Sequence, residues 1–208
     1  MEEEEVFRII LLLLWICLFA IRMCFAARLR RGGDRVSVRR RALKLEGFWI
    51  YVARVFLFFL LIVVLLVYSF VPQWMGSFLL PLPSWVRWAG TILGLLCLPF
   101  LVWVQQTLGR HWSTDLQIRE RHVLVTQGPY RWVRHPMYSL IFLFLISLCL
   151  VSANWLFVVG SVAAIALLYG RIAREEQMMI ERFGEEYCSY MGHTGRLLPR
   201  LARRNHAR

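Results

Sequence analysis

Long apolar runs, separated by clusters of arginine, restrict what this chain can fold into more than any other feature of its sequence. A helix that crosses a bilayer needs about 20 apolar residues. Three runs reach that length and two are shorter: Val6–Ala27, Phe48–Val71, Trp85–Leu108, Met137–Val151 and Trp155–Gly170. Hydrophobic residues make up 59% of the 208 positions, against roughly 45–50% in soluble domains. We therefore predict a single all-helical, polytopic membrane domain with about five transmembrane helices, the first two within residues 1–71.

The basic residues predict how these helices are oriented in the membrane. Eight lie in the connection Arg28–Lys44, five in Gly109–His135 and eight from Arg171 onward, whereas Pro72–Ser84 contains none. Basic connections stay on the cytoplasmic side of a membrane. We therefore predict an outside N-terminus and a cytoplasmic C-terminus, in the inner membrane of a bacterium or in the endoplasmic reticulum of a eukaryote. We attribute the net charge of +12 to contact with the membrane surface. Binding to nucleic acid is not expected, because the sequence contains no nucleic-acid-binding motif.

The last two apolar runs are predicted to form a helical hairpin with its turn at residues 152–154. Met137 and Arg171 lie at similar distances on either side of that turn, so their depths in the membrane should match. Residues 134–136 should therefore face Arg171 and the acids at 175–176 across the helix pair. The second helix of the hairpin is predicted to continue into the cytoplasm and to stop at Gly184, because glycine suits a helix C-terminus.

Ionisable side chains at the membrane boundary are costly unless they are paired or line a wet cavity. Their convergence indicates a functional site, although simpler interpretations exist for individual residues. Pro136 suits the first turn of any helix. Arg171 and Glu175 have the i,i+4 spacing of a structural ion pair. Tyr130 and Tyr138 are residue types common at membrane interfaces.

The sequence lacks the signatures of several other classes of site. There is no GxGxxG after a strand, no P-loop, no GxSxG and no HExxH. The histidines have no metal-ligand spacing, so no metal is expected. The five cysteines form no CxxC and are predicted to be small buried hydrophobic residues rather than disulfides or ligands.

Three segments in the last part of the chain resemble the isoprenylcysteine carboxyl methyltransferase family. They are HVLVTQGPYRWVRHPMY at 122–138, RIAREEQMMIERFGEEYCSY at 171–190 and LLP at 197–199. The order RHPxY, Arg-xxx-Glu-Glu and FGEEYxxY is specific, and the resemblance covers about the last hundred residues. Residues 85–208 are therefore expected to be the methyltransferase core. The same C-terminal architecture is also similar to phospholipid N-methyltransferases.

The resemblance implies S-adenosylmethionine (SAM) as the methyl donor, bound in a cytoplasmic pocket at the ends of the last helices. It places the cofactor against His122, Val123, Leu124, Val125, Tyr130, His135, Pro136, Met137, Tyr138 and Glu175. It assigns the acceptor group to Arg171, with Arg134 and Glu176 as supporting members of the catalytic centre. The acceptor it implies is a prenylated C-terminal cysteine that enters from the bilayer.

The chemistry of the residues favours carboxyl O-methylation, because a guanidinium grips a carboxylate bidentately. Transfer to a carboxylate also needs no base. Methylation of a phospholipid or small-molecule amine would need one, and Glu176 would be the candidate. A thiol acceptor is a further alternative. The non-enzymatic alternative is a membrane scaffold that keeps the fold but does not bind SAM.

Overall fold

The computed structural model describes residues 2–31, 48–108 and 124–200. These ranges form six α-helices: α1 Glu2–Arg31, α2 Phe48–Phe70, α3 Ser84–Leu108, α4 Pro136–Ser152, α5 Trp155–Phe183 and α6 Glu185–His193. Within them, extended pairing is limited to two isolated bridges. The all-helical class predicted from the sequence is confirmed.

Four of the helices, α1, α2, α3 and α5, are long and apolar enough to cross a membrane. The fifth apolar helix, α4, has 17 residues, or about 26 Å at 1.5 Å per residue, and is shorter than the roughly 30 Å hydrocarbon core. Large apolar side chains such as Phe56, Ile92 and Val162 are exposed on the outer surface of the bundle, as suits contact with lipid. The chain is thus an integral membrane protein, while a fifth span and the orientation of the termini stay predictions.

A polar cluster ties four helices together at one end of the bundle. Arg87, in the first turn of α3, donates hydrogen bonds to the carboxylate of Glu4 in α1 and, at 3.0 Å, to the carbonyl of Val151 in α4. The hydroxyl of Tyr68, near the end of α2, donates to the carbonyl of Ser152 at 3.1 Å. Because α1 and α3 begin here and α2 and α4 end here, α1 and α3 run in the same direction and α4 runs back.

Small residues allow α3 and α4 to pack closely. A Cβ atom at Gly90 would lie 2.6 Å from Cβ of Leu150, and one at Gly94 would lie 2.5 Å from Oγ of Ser147. Such close approach is a common basis of helix association in membranes. The buried core around this contact draws on all five long helices, through Leu14, Leu65, Cys97, Leu148 and Phe157 among others.

The hairpin turn lies where the sequence predicts it. The helix α4 ends at Ser152, Ala153 adopts a left-handed conformation with φ 45°, and Asn154 caps α5 by accepting a hydrogen bond from the amide of Leu156 at 2.9 Å. The predicted stop at Gly184 is also confirmed. This residue has φ 53° and its amide donates to the carbonyl of Ile180 at 2.8 Å.

The prediction for the cysteines is only partly correct. All five are free, but only Cys97 is fully buried, while Cys17, Cys24 and Cys188 are exposed. The apolar run of α1 packs one face against the bundle and leaves its other face, with Cys17 and Cys24, on the outer surface. An apolar residue in a membrane helix is as stable against lipid as against protein, so the apolar setting alone did not predict burial.

Candidate functional site

The segment after α6 is held against the start of α4. The amide of Arg134 donates to the carbonyl of Gly195 at 2.8 Å, and that of His135 donates to Arg196 at 3.1 Å. One turn further along, the hydroxyl of Ser139 donates to the carbonyl of Leu197 at 2.6 Å. The two segments, distant in sequence, therefore form one wall at the end of the hairpin.

Glu176 is the buried centre of this wall. Its side chain is 4% exposed, and it accepts a hydrogen bond from Nε of Arg134 at 2.9 Å and one from Nε of Arg196 at 2.8 Å. A buried carboxylate is strongly destabilising when it is unpaired. Two guanidinium groups offset that cost and fix α5 against both the start of α4 and the closing segment.

Arg134 also connects this centre to α6. Its Nη1 donates to the carbonyl of Thr194 at 2.5 Å and to that of Met191 at 3.3 Å. The Nε of Arg134 thus holds Glu176 of α5, while its Nη1 holds the end of α6 and the residue that follows it. The arrangement suits a supporting role for Arg134 and Glu176.

Glu175, the neighbouring acid, has different surroundings. Its Oε1 accepts a hydrogen bond from the hydroxyl of Tyr138 at 2.8 Å and another from Nε of Arg171 at 2.6 Å. The side chains of Arg171 and Glu175 are each 23% exposed. The i,i+4 ion pair considered from the sequence is therefore formed, and it remains accessible to a ligand.

His135 is buried beside both acids. Its Nε2 lies 3.4 Å from Oε1 of Glu176 but makes no hydrogen bond within the described residues. Burial lowers the pKa of His135 below its usual value, although the carboxylates of Glu175 and Glu176 oppose the change. The imidazole is therefore neutral at pH 7 and presents an unpartnered polar atom at the site.

Tyr130 lies on the side of the site nearer to α6. Its carbonyl accepts a hydrogen bond from the hydroxyl of Tyr190 at 2.6 Å. Burial raises the pKa of Tyr130 above its usual range and that of Tyr190 to about 12. Both phenols are therefore neutral near pH 7.

Leu124 lines an open cavity of about 310 Å³, together with Thr126, Arg131, Glu186, Tyr190 and His193. This cavity does not include His135, Tyr138 or Glu175 among its lining residues. One continuous cofactor pocket, as the resemblance implies, therefore stays a prediction. We give more weight to the cluster of buried and paired ionisable groups, because a functional site is expected where such groups converge.

The structure brings most of the expected site residues together. The cluster at the end of the hairpin contains Arg134, His135, Pro136, Met137, Tyr138, Arg171, Glu175 and Glu176. Leu124 and Tyr130 precede it on the α6 side, and Val125, which follows Leu124, is partly buried. His122 and Val123 lie outside the described residues. Within the described ranges no group of three or more His, Cys, Asp or Glu side chains is arranged to hold a metal ion.

Two residues at the site were not predicted from the sequence. Arg196 pairs with Glu176, and the closing Leu-Leu-Pro motif next to it was the available signal. Arg22 of α1 places Nη1 3.3 Å from Sδ of Met137. The signal for Arg22 was a lone arginine near the end of an apolar run.

Residues 90–181 match the model of the isoprenylcysteine carboxyl methyltransferase (ICMT) family. The resemblance to the ICMT family is confirmed. The matched range includes α4 and nearly all of α5, and thus both acids, the Arg-His-Pro segment and Arg171.

The individual relatives have names of two kinds, methyltransferases and metal-resistance proteins. The protein-S-isoprenylcysteine O-methyltransferase of Tribolium castaneum is 37% identical over 79 residues, which are 38% of this chain and 28% of that protein. The Dictyostelium discoideum protein of the same name is 30% identical over 133 residues, 60% of this chain and 55% of that protein. The cobalt-zinc-cadmium resistance protein CzcN of Cupriavidus metallidurans is 31% identical over 119 residues, 56% of this chain and 55% of that protein.

A solved structure has a similar fold. The eukaryotic intramembrane Ras methyltransferase ICMT superposes with a TM-score of 0.50 and 26% identity, over 72% of this chain and 50% of that chain. Our chain thus spans about half the length, or less, of the relatives it matches.

Proposed function

We propose that this protein is a SAM-dependent methyltransferase of the membrane, and that it methylates the carboxylate of a lipophilic, isoprenylcysteine-like acceptor. One observation carries the proposal. An accessible acid, Glu175, is held by Tyr138 and Arg171 beside the unpartnered Nε2 of His135, at the end of the hairpin opposite its turn. The matches to proteins named protein-S-isoprenylcysteine O-methyltransferase support the same activity.

The residues at this site fit SAM, which supplies a methyl group when it is bound. Glu175 is an acceptor for an amino or hydroxyl group, and the neutral His135 presents Nε2 as an unused hydrogen-bonding atom. The ring of Tyr138 lies 5.8 Å from that of His135. An aromatic face attracts a cation such as a sulfonium by roughly 0.5–2 kcal/mol.

Arg171 is proposed to orient the acceptor. Its guanidinium is partly accessible and lies midway along α5, where the apolar part of the helix ends. Bidentate pairing to a carboxylate would align that nucleophile. A carboxylate that enters from the bilayer would also lose part of its hydration.

The surroundings of Glu176 favour a carboxylate over an amine as the acceptor. An amine must lose a proton, and Glu176 was the candidate base. This carboxylate is buried and engaged by Arg134 and Arg196, so it is poorly placed to take a proton from a substrate. A carboxylate acceptor needs no base and is compatible with this arrangement.

The chemical stability of the product tests the proposal. Purified protein in lipid nanodiscs is incubated with methyl-labelled SAM and N-acetyl-S-farnesylcysteine, and the extracted product is treated with alkali. We expect labelled product that releases volatile methanol, because a methyl ester is hydrolysed by base. Alkali-stable label would assign the enzyme to methylation of nitrogen or sulfur. Absence of both labelled product and SAM binding would favour the non-catalytic scaffold.

A further inference from the structure

Arg22 is a charged residue inside the apolar part of α1. It is flanked by Ile21 and Met23 and lies six positions before Arg28, on the outer surface of the bundle. Ionisable residues inside membrane helices are costly and usually mark a ligand path or a functional site. In the described residues the hydrogen-bond partner of its guanidinium is the thioether of Met137, which is a weak acceptor.

Arg22 adds a second positive charge to the site. It contacts Met137, whose neighbour Tyr138 donates to Glu175, the partner of Arg171. Arg171 is paired with Glu175, whereas no carboxylate of the described residues forms a salt bridge with Arg22. Two guanidinium groups near one another repel, and a bound anion would offset this repulsion.

Apolar side chains of α1, α3 and α4 pack together one helical turn from Arg22. They are Leu18, Cys97, Leu98, Leu101, Leu140, Ile141 and Phe144, and the space between them is only about 10 Å³, too small for a prenyl chain. Arg22 lies one helical turn beyond Leu18, and Met137 lies one turn before Ile141. Phe19 and Met23 of α1, close to Arg22, are exposed on the outer surface of the helix. A cation within such an apolar surface suits an amphiphile with an anionic head, whose chain lies against the lipid-facing side chains.

Gln105 supplies a polar group on α3, the third helix of this contact. It lies one turn beyond Leu101 on α3, and α3 runs in the same direction as α1. Both its amide nitrogen and its amide oxygen are buried without a hydrogen-bond partner in the described part of the chain. A buried amide without partners costs about 1–3 kcal/mol, so a ligand with acceptor atoms would be stabilised there.

We infer that Arg22 and Gln105 form, together with Arg171, the subsite that binds the carboxylate head of the lipophilic acceptor, on the lipid-facing side of α4. The inference rests on the proposed function and extends it to the acceptor. Arg22 and the Gln105 amide donate to the lone pairs that Arg171 leaves free on the two carboxylate oxygens, while the prenyl chain packs along the apolar surface of α1 and α4. These residues select acceptors that carry a negative charge.

Direct binding of the acceptor tests this inference independently of turnover. The probe is N-acetyl-S-farnesylcysteine, titrated by calorimetry into protein in phosphatidylcholine nanodiscs saturated with S-adenosylhomocysteine. We expect Arg22→Ala to weaken binding about tenfold or more, as the loss of a charge-assisted hydrogen bond does, and Arg22→Lys to restore part of the affinity. Arg28→Ala is the matched control on the same helix and should bind like the wild type. Gln105→Leu provides a second variant, also expected to weaken binding.

A second probe isolates the charge of the head. The primary amide of the same prenylcysteine should bind the wild type more weakly than the acid, and Arg22→Ala should largely remove that preference. Equal affinity of wild type and Arg22→Ala for the acid would overturn the inference. An effect of Arg22→Ala that is the same for acid and amide and appears only in phosphatidylglycerol nanodiscs would overturn it too, and would assign Arg22 to a lipid phosphate. Binding of the acid without methylation in the presence of SAM would overturn the proposed function alone.

Discussion

At the scale of single residues, Glu175 and Glu176 are neighbours that face different environments. Successive residues of a helix point about 100° apart, so one acid faces Tyr138 and Arg171 while the other faces Arg134 and Arg196. The first remains accessible and the second is enclosed. The motif predicted both acids, but the enclosure of Glu176 depends on Arg196, which no local pattern connects to it.

The pKa of His135 leads to a prediction for SAM affinity. Burial lowers this pKa below the usual value of 6.5, so the imidazole is neutral between pH 7 and 8. We expect calorimetric SAM affinity to be constant over that range and to decrease only below about pH 6.5, because protonation adds a positive charge to the imidazole beside Glu175 and Glu176.

The control for this pH dependence is His135→Gln, which cannot be protonated. Its SAM affinity should not decrease below about pH 6.5 in the way that the affinity of the wild type does. The lowered pKa of His135 also affects stability. As the pH falls, the imidazole of the unfolded chain is protonated before that of the folded chain. His135 should therefore lower the free energy of unfolding below about pH 6.5 and have no effect above it. If the SAM affinity of His135→Gln decreased at acid pH as much as that of the wild type, the imidazole would be excluded as the cause.

At the scale of the elements, the close contact of α3 with α4 positions the start of α4. A Cβ atom at Gly90 would meet Cβ of Leu150 at 2.6 Å and the backbone nitrogen of Val151 at 3.1 Å. Neither atom is the end of a flexible side chain. Alanine at this position therefore requires the two helices to separate.

We expect Gly90→Ala to destabilise the protein by about 1–3 kcal/mol, as overpacking does in cores, and to lower its Tm in detergent. The matched control is Gly170→Ala in α5, where a Cβ would have no neighbour within 4 Å and where Tm should be unchanged or slightly higher. Equal Tm values for the two variants would contradict the close contact.

Some features of the helices and turns were predictable from the sequence and others were not. The turn at residues 152–154 and the stop at Gly184 follow from local preferences for capping and for positive φ, and both were predicted. The position of α5 opposite residues 134–136 follows from the lengths of the two helices and was also predicted. The contacts of Arg22 and Arg196 depend on tertiary packing across many residues, so sequence patterns did not identify them. The expected single cofactor pocket stays a prediction, because Leu124 lines a cavity beside α6 whose described lining does not include Glu175.

At the scale of the whole molecule, a polar cluster and the candidate site occupy opposite ends of the bundle. Arg87 is 5% exposed, holds Glu4 and the carbonyl of Val151, and lies 4.0 Å from the ring centroid of Phe7. It thereby anchors the beginning of α1, the helix whose other end carries Arg22. The separation predicts that stability and ligand binding respond independently to changes at the two ends.

We expect Arg87→Ala to lower the free energy of unfolding by about 1–3 kcal/mol, because it leaves the carbonyl of Val151 without its buried donor. The carboxylate of Glu4 is 42% exposed and is solvated when the arginine is lost, so it adds little to this cost. SAM affinity of the folded protein should be unchanged. The control is Arg8→Ala, whose ion pair with the exposed Glu5 spans 3.9 Å and contributes at most about 1 kcal/mol. Loss of SAM affinity in folded Arg87→Ala would show that the two ends are coupled.

The central claim is that the two ends of the α4–α5 hairpin build one cofactor site around Glu175. Calorimetric titration of SAM into the purified protein tests it most directly, with Glu175→Ala and the exposed Glu181→Ala on the same helix as a matched pair. We predict that the wild type and Glu181→Ala bind SAM with equal affinity and that Glu175→Ala shows no measurable binding. Full SAM affinity in correctly folded Glu175→Ala would contradict the claim.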